Sequence, residues 1–161
     1  MANGKMTTKT AASSKSGKKK KPTLGQIKRK TWAMFSLYIR TRDALRTTGT
    51  TEYALCITCD RKYPLKAVGG LQAGHFITGR HNSVLFDERN VHAQCYGCNV
   101  GKKGNMVVYY KKMLEMYGQD VIDELEQLDK VNRQYKVWEL LDLYNELNLK
   151  LESLINPKHT P

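Results

Sequence analysis

No apolar run in this 161-residue chain is long enough to cross a bilayer, and no apolar leader core stands near its start. The first absence argues against a membrane-spanning helix, and together they lead us to expect a cytoplasmic, reducing setting. Acidic residues are nearly missing from the front: residues 1–50 hold 13 Lys and Arg against one acid, Asp43. Residues 51–114 hold 9 against 4, and residues 115–155 reverse the balance with 4 against 10. A basic front attracts polyanions through counterion release, and an acidic end repels them. Nucleic acid is therefore the expected partner of the front two-thirds, and a protein surface that of the rest. Residues 1–22 contain almost nothing apolar and end in a lysine run, so we expect a disordered basic tail. It reads either as an arm holding DNA backbone or as a solubilising tail.

Cysteine is also scarce, with four residues in the whole chain. All four fall into two Cys-x-x-Cys pairs, Cys56/Cys59 and Cys95/Cys98. Two residues between cysteines let both thiolates of a pair reach one ion, and two such pairs make a tetrahedral cage for one structural Zn(II). Two disulfides are the alternative, which the expected reducing compartment disfavours. The long segment between the pairs carries His75, His81 and His92. Within it, Leu71–Ile77 reads as a strand holding His75, with Ser83–Phe86 as its partner strand across the turn residues Gly79 to Asn82.

Upstream, Thr23–Arg46 shows apolar residues at a helical period, with Thr23 as N-cap and Gly49 ending the helix. Its polar face presents Arg40 and Arg42 with other cations, either as a solvated face or as a surface tracking phosphates. Arg80 and Arg89 offer a phosphate clamp or else surface salt bridges. Lys102 and Lys103 stand beside the start of the next helix and add to phosphate attraction. Asn105–Tyr117 and Asp120–Asp129 read as helices separated by Gly118. A final helix carries Val137, Leu140, Tyr144, Leu147, Leu151 and Leu154 at alternating spacings of three and four. That heptad seam serves either intramolecular packing or a homodimer, and the dimer is the preferred reading.

The order His75, Asn90, Asn99, with Asn99 directly after the second cysteine pair, resembles the HNH or ββα-metal nucleases, and the Cys-x-x-Cys-Asn form resembles phage endonuclease VII. A closer resemblance, over roughly Thr23 to Gly118, is to the phage NinG/Rap recombination proteins. It rests on Phe35–Asp43, Cys56–Cys59, Gly74–Phe76, Phe86–Cys95 and Gly104–Asn105. The resemblance implies an α+β fold: a small zinc-bound ββα-metal core, HNH-like, flanked by an N-terminal helix and C-terminal helices. The expected division is a tail over 1–22, a nuclease domain over 23–118, a helical and dimerising region over 119–156, and a tail over 157–161.

The implied activity is metal-dependent endonucleolytic cutting of branched recombination intermediates such as Holliday junctions and D-loops. In that reading His75 is the general base, a role its near-neutral pKa suits. Asn90 orients the loop around it, and Asn99 ligates a catalytic Mg(II) or Mn(II). Many relatives carry an Asp before the histidine as a metal ligand, and this chain has Gly74 there. Asp87 and His92 are the leading substitutes, with Glu88, His81 and Gln72 also considered. The reading from another class is a non-catalytic zinc-knuckle protein that binds DNA as a recombination accessory.

Overall fold

The computed structural model describes residues 1, 21–65 and 69–157. The expected tail over residues 1–22 lies almost wholly outside the described residues, as does the tail beyond residue 157. Helix α1 spans Leu24–Thr48. Thr23 and Gln26 form a reciprocal capping box at its start, and Gly49 ends it at φ 70.

Two short antiparallel hairpins follow. Strands β1 (Tyr53–Leu55) and β2 (Lys62–Pro64) flank the first cysteine pair. Strand β3 (Gln72–His75) pairs with β4 (Val91–Gln94), with Gln72 opposite Gln94 and Gly74 opposite His92. Because side chains alternate along a strand, Ala73, His75, Val91 and Ala93 share one face, and Gln72, Gly74, His92 and Gln94 the other. Ala73 and Val91 pack on Phe35, Tyr38 and Ile39 of α1.

The partner of β3 is thus β4 and not Ser83–Phe86, which corrects the sequence expectation. Residues Asn82–Leu85 form a single helical turn, α2, that buries Val84 and Leu85. A run of four mostly apolar residues fits a buried turn as well as a strand, and here the tertiary contacts decide.

A π-helical turn over Gly97–Gly101 leads from the second cysteine pair into α3 (Met106–Asp129). Gly118 breaks α3 with φ 79 and ψ 172, where the sequence predicted the boundary between two helices. Tyr109 and Met113 pack with Phe76, Ile122 and Leu125 in a cluster of their own. Helix α4 (Val137–Ile155) folds back on α1, burying Leu147 and Leu151 beside Phe35, and Leu140 beside Ile27. Three residues of the heptad seam are therefore consumed inside the molecule, so it is not the dimer surface expected from the sequence. The period of apolar positions locates a helix's buried stripe and does not say which partner buries it. The chain is a mixed α+β protein of small sheets and helices.

Candidate functional site

The four cysteines come together from the β1–β2 hairpin and the end of β4. Their sulfurs all lie within 4.8 Å of one another, and Cys59 and Cys95 are 3.9 Å apart. Zinc–sulfur bonds of about 2.3 Å place tetrahedral sulfurs about 3.8 Å apart. Cys56, Cys95 and Cys98 are buried. Burial and the neighbouring Cys56 push the Cys59 thiol up to about 12. Burial also raises Cys56, but the Cys95 N–H and the Thr58 hydroxyl outweigh it and bring that thiol down to about 7. Four sulfurs crowded this way lack a counter-charge, which one divalent ion supplies. The cluster is built to bind a metal ion and fits structural zinc.

Next to this cluster lies an open cleft of about 460 Å³, lined by His75, Asn99, Arg80, Lys103 and Thr78 among others. The end of β3 carries His75 into it, and the π-helical turn after Cys98 carries Asn99. His75 is 7% exposed, and its Nε2 lies 3.2 Å from the Leu85 carbonyl. A carbonyl only accepts, so Nε2 holds the proton and Nδ1 keeps its lone pair. Burial lowers the His75 pKa, the Leu85 carbonyl opposes this, and the Arg80 charge adds to it, so the net effect favours the neutral ring. Trp32 of α1 stacks on the imidazole, and the Arg80 guanidinium sits 5.6 Å from the indole centroid.

Asn90 is fully buried and fastens the loop between β3 and β4. Its Oδ1 accepts from the Ile77 N–H at 2.7 Å, and its Nδ2 donates to the Val84 carbonyl at 3.1 Å. That places Leu85, the partner of His75, one residue from the fastening point. Asn99 donates from Nδ2 to Gln72 Oε1 at 2.7 Å, which fixes the amide and leaves Oδ1 toward Gly74.

A family model described as Bacteriophage Lambda NinG protein matches residues 2–156. The chain belongs to that family. Similar proteins include protein ninG of Escherichia phage lambda, 33% identical over 105 residues, or 62% of this chain and 51% of that protein. Protein ninG of Enterobacteria phage H19B is 34% identical over 105 residues, covering 62% and 52%. Protein ninG of Salmonella phage P22 is 39% identical over 80 residues, covering 46% and 39%. The chain spans about half the length of the NinG relatives it matches, or less. No solved structure matches it.

Several residues singled out in this NinG-family sequence are engaged elsewhere. His92 is enclosed: Nδ1 lies 3.0 Å from the Tyr109 hydroxyl and Nε2 3.0 Å from the Tyr117 hydroxyl. Tyr109 gives its one proton to the Gly74 carbonyl at 2.9 Å, so it accepts from His92 Nδ1, and Tyr117 donates to Nε2. Both ring nitrogens are spent, so His92 is no metal ligand. Asp87 is paired with Arg89 at 2.8 Å and lines a different cleft, beside Trp138. Glu88 accepts from Tyr38 and pairs with Lys150, and His81 pairs with Asp129. Of the substitutes considered for the ligand missing at Gly74, only Gln72 stands next to Asn99.

The basic residues also divide. Arg89 is held between Asp87 and Glu124, which raise its pKa and neutralise it. Arg40 donates to the Leu65 and Leu71 carbonyls, and Arg42 donates to the Glu88 and Val91 carbonyls and pairs with Asp43. These three arginines brace the fold and are not available to a phosphate backbone. Helical periodicity marked Arg40 and Arg42 as outward because hairpins that cover a helix's polar face leave no trace in its own sequence. Arg80, Lys102 and Lys103 are exposed, and Arg80 and Lys103 line the cleft. No helix is long and apolar enough to cross a membrane among the described residues.

Proposed function

We propose that the protein is a metal-dependent, structure-selective DNA endonuclease that hydrolyses phosphodiesters in branched recombination intermediates. The observation that carries this reading is the cleft itself. It combines a neutral histidine with a free Nδ1, an amide oxygen, and two cations that no carboxylate neutralises among the described residues. Hydrolysis needs a base for the attacking water and positive charge at the phosphate. His75 takes the water proton on Nδ1 while Nε2 stays bonded to Leu85. Arg80 and Lys103 hold the phosphate oxygens, and Lys102 adds attraction from the rim. Asn90 keeps the loop that carries Leu85 in place, and so acts on the base through its hydrogen-bond partner.

Asn99 is the residue that would hold Mg(II) or Mn(II), and a bound ion supplies charge stabilisation to the phosphate and the leaving oxygen. The strand pair, cysteine cage and following helical turn support the ββα-metal resemblance, with zinc as the brace. Branched DNA is the proposed substrate. A junction of near two-fold symmetry calls for two active sites, so a homodimer formed through a surface other than the α4 seam belongs to the proposal.

A second reading, that of a zinc-knuckle DNA-binding accessory protein without catalysis, draws on the absence of any carboxylate among the residues lining the cleft. The deciding experiment assays wild type and His75→Ala on a synthetic four-way junction with Mg(II) or Mn(II). Cutting by wild type that is lost in the variant, with junction binding retained, supports the nuclease. Equal cutting by both overturns the base assignment, and binding without cutting by wild type favours the accessory protein.

A further inference from the structure

The strand that leads into the second cysteine pair ends on a side chain with incomplete bonding. Gln94 is fully buried, and its Nε2 donates to the Gly104 carbonyl at 2.7 Å and to Thr58 Oγ1 at 3.1 Å. Its Oε1 has no partner among the described residues. Exchanging the two ends of the amide does not cure this, because an oxygen facing the Gly104 carbonyl replaces a hydrogen bond with repulsion. A buried carbonyl oxygen left unpaired is costly, and an unpaired ion ligand is one explanation for it.

This oxygen is aimed at Gly74. It lies 2.3 Å from the point where a Cβ on residue 74 would stand, and Asn99 Oδ1 lies 3.2 Å from the same point. The β3–β4 register accounts for the approach: Gln94 stands opposite Gln72, on the same face as Gly74 and diagonal to it. Any side chain at position 74 would compete with Gln94 for this space. Glycine there and glutamine at 94 are two halves of one arrangement, which brings two amide oxygens toward one point on the Gly74 face of the strand pair.

We propose that Gln94 Oε1 and Asn99 Oδ1 are paired oxygen ligands for one hard divalent cation, Mg(II) or Mn(II), with Gln94 supplying from β4 the donor that residue 74 lacks. Both are hard neutral oxygens of the kind these ions accept. Two neutral ligands hold an ion weakly, and Arg80 and Lys103 oppose a bare cation, so the remaining positions go to water and to substrate phosphate oxygens. The assignment takes its purpose from the nuclease reading, but its test does not depend on cleavage.

The experiment is a Mn(II) titration of the ¹⁵N-labelled, zinc-loaded full chain followed by NMR. Paramagnetic broadening is expected first at the side-chain amides of Gln94 and Asn99 and at the Gly74 backbone amide. Gln94→Met keeps the length and removes the oxygen. It should weaken Mn(II) binding, read at Asn99, by about tenfold or more at unchanged zinc content. The double variant G74D/Q94A puts a carboxylate into the space that the shortened side chain vacates. It should bind Mn(II) more tightly than wild type, and it keeps the proposal testable if Gln94→Met fails to fold. Broadening that begins elsewhere, or Mn(II) binding unchanged in both variants, overturns the assignment. Binding as described with no cutting of a four-way junction sinks the nuclease reading alone, and cutting with no Mn(II) effect at Gln94 sinks the ligand assignment alone.

Discussion

The indole of Trp32 lies against the imidazole of His75, with ring centroids 5.0 Å apart and planes inclined by 16°. One residue comes from the first turns of α1 and the other from the last position of β3. The stack contributes to the burial that lowers the His75 pKa. Trp32→Leu should therefore move the imidazole titration, followed by its ring proton resonances, up toward the ordinary value of 6.5. On the nuclease reading proposed above, junction cutting should fall with zinc content unchanged. An unmoved titration would show that the indole has no part in setting the base.

Cations in the cleft and cations under the hairpins should fail in different ways. Arg80→Ala and Lys103→Ala are each expected to weaken junction binding and to flatten the salt dependence by about one unit. Arg40→Ala and Arg42→Ala should leave that slope alone and lower the urea midpoint instead, because each frees buried carbonyls. Salt titrations of binding and urea melts on the four variants check this.

Acid should destabilise the fold through His92. Burial, with Arg42 and Arg46 adding to it, holds its pKa down to about 3. The unfolded chain takes up a proton near 6.5 that the native state refuses, so stability is full above that pH and is lost as pH falls toward the folded value. Urea melts should show a loss of about 1.4 kcal/mol per pH unit below about 6 from this group. His75, whose pKa is also lowered, acts in the same direction.

Asp43 carries the link between α1 and β4. It is buried, accepts from the Ala93 N–H at 2.7 Å and pairs with Arg42 at 2.8 Å. Asp43→Ala leaves the Ala93 N–H without its partner and Arg42 without its carboxylate, and should cost about 3 kcal/mol in a urea melt. A loss below 1 kcal/mol would mean that solvent replaces the carboxylate.

Elemental analysis should find one zinc per chain, and chelation should raise amide exchange first in residues 53–65 and 91–104, around the thiols. The pair α1 and α4 should hold longer, because its apolar cluster of Phe35, Ile39, Leu147 and Leu151 contains no ligand. Exchange that rises uniformly along the chain would show the metal to be essential to the whole fold.

What could be read in the sequence was local. The two cysteine pairs announced a metal cage because two-residue spacing fixes the reach of thiolates. Thr23, Gly49 and Gly118 marked helix ends because capping and positive φ are properties of single positions. His75 on a strand and Asn99 after the second pair were visible for the same reason. The turn at Asn82–Leu85 was misread as a strand because four residues are too few to show a period.

What only the tertiary structure decided was which side chains meet across elements. Arg40 and Arg42 turned out to be braces, the heptad seam closed on α1, and His92 was sealed between two tyrosines. Gln94 was missed altogether, since its meeting with Gly74 follows from strand register, a relation between residues twenty apart that neither residue's neighbours encode. Short-range spacing specifies the conformation of one segment and the groups it offers, whereas the partner of each group is chosen by packing, where burial and hydrogen-bond satisfaction are settled for the whole chain at once.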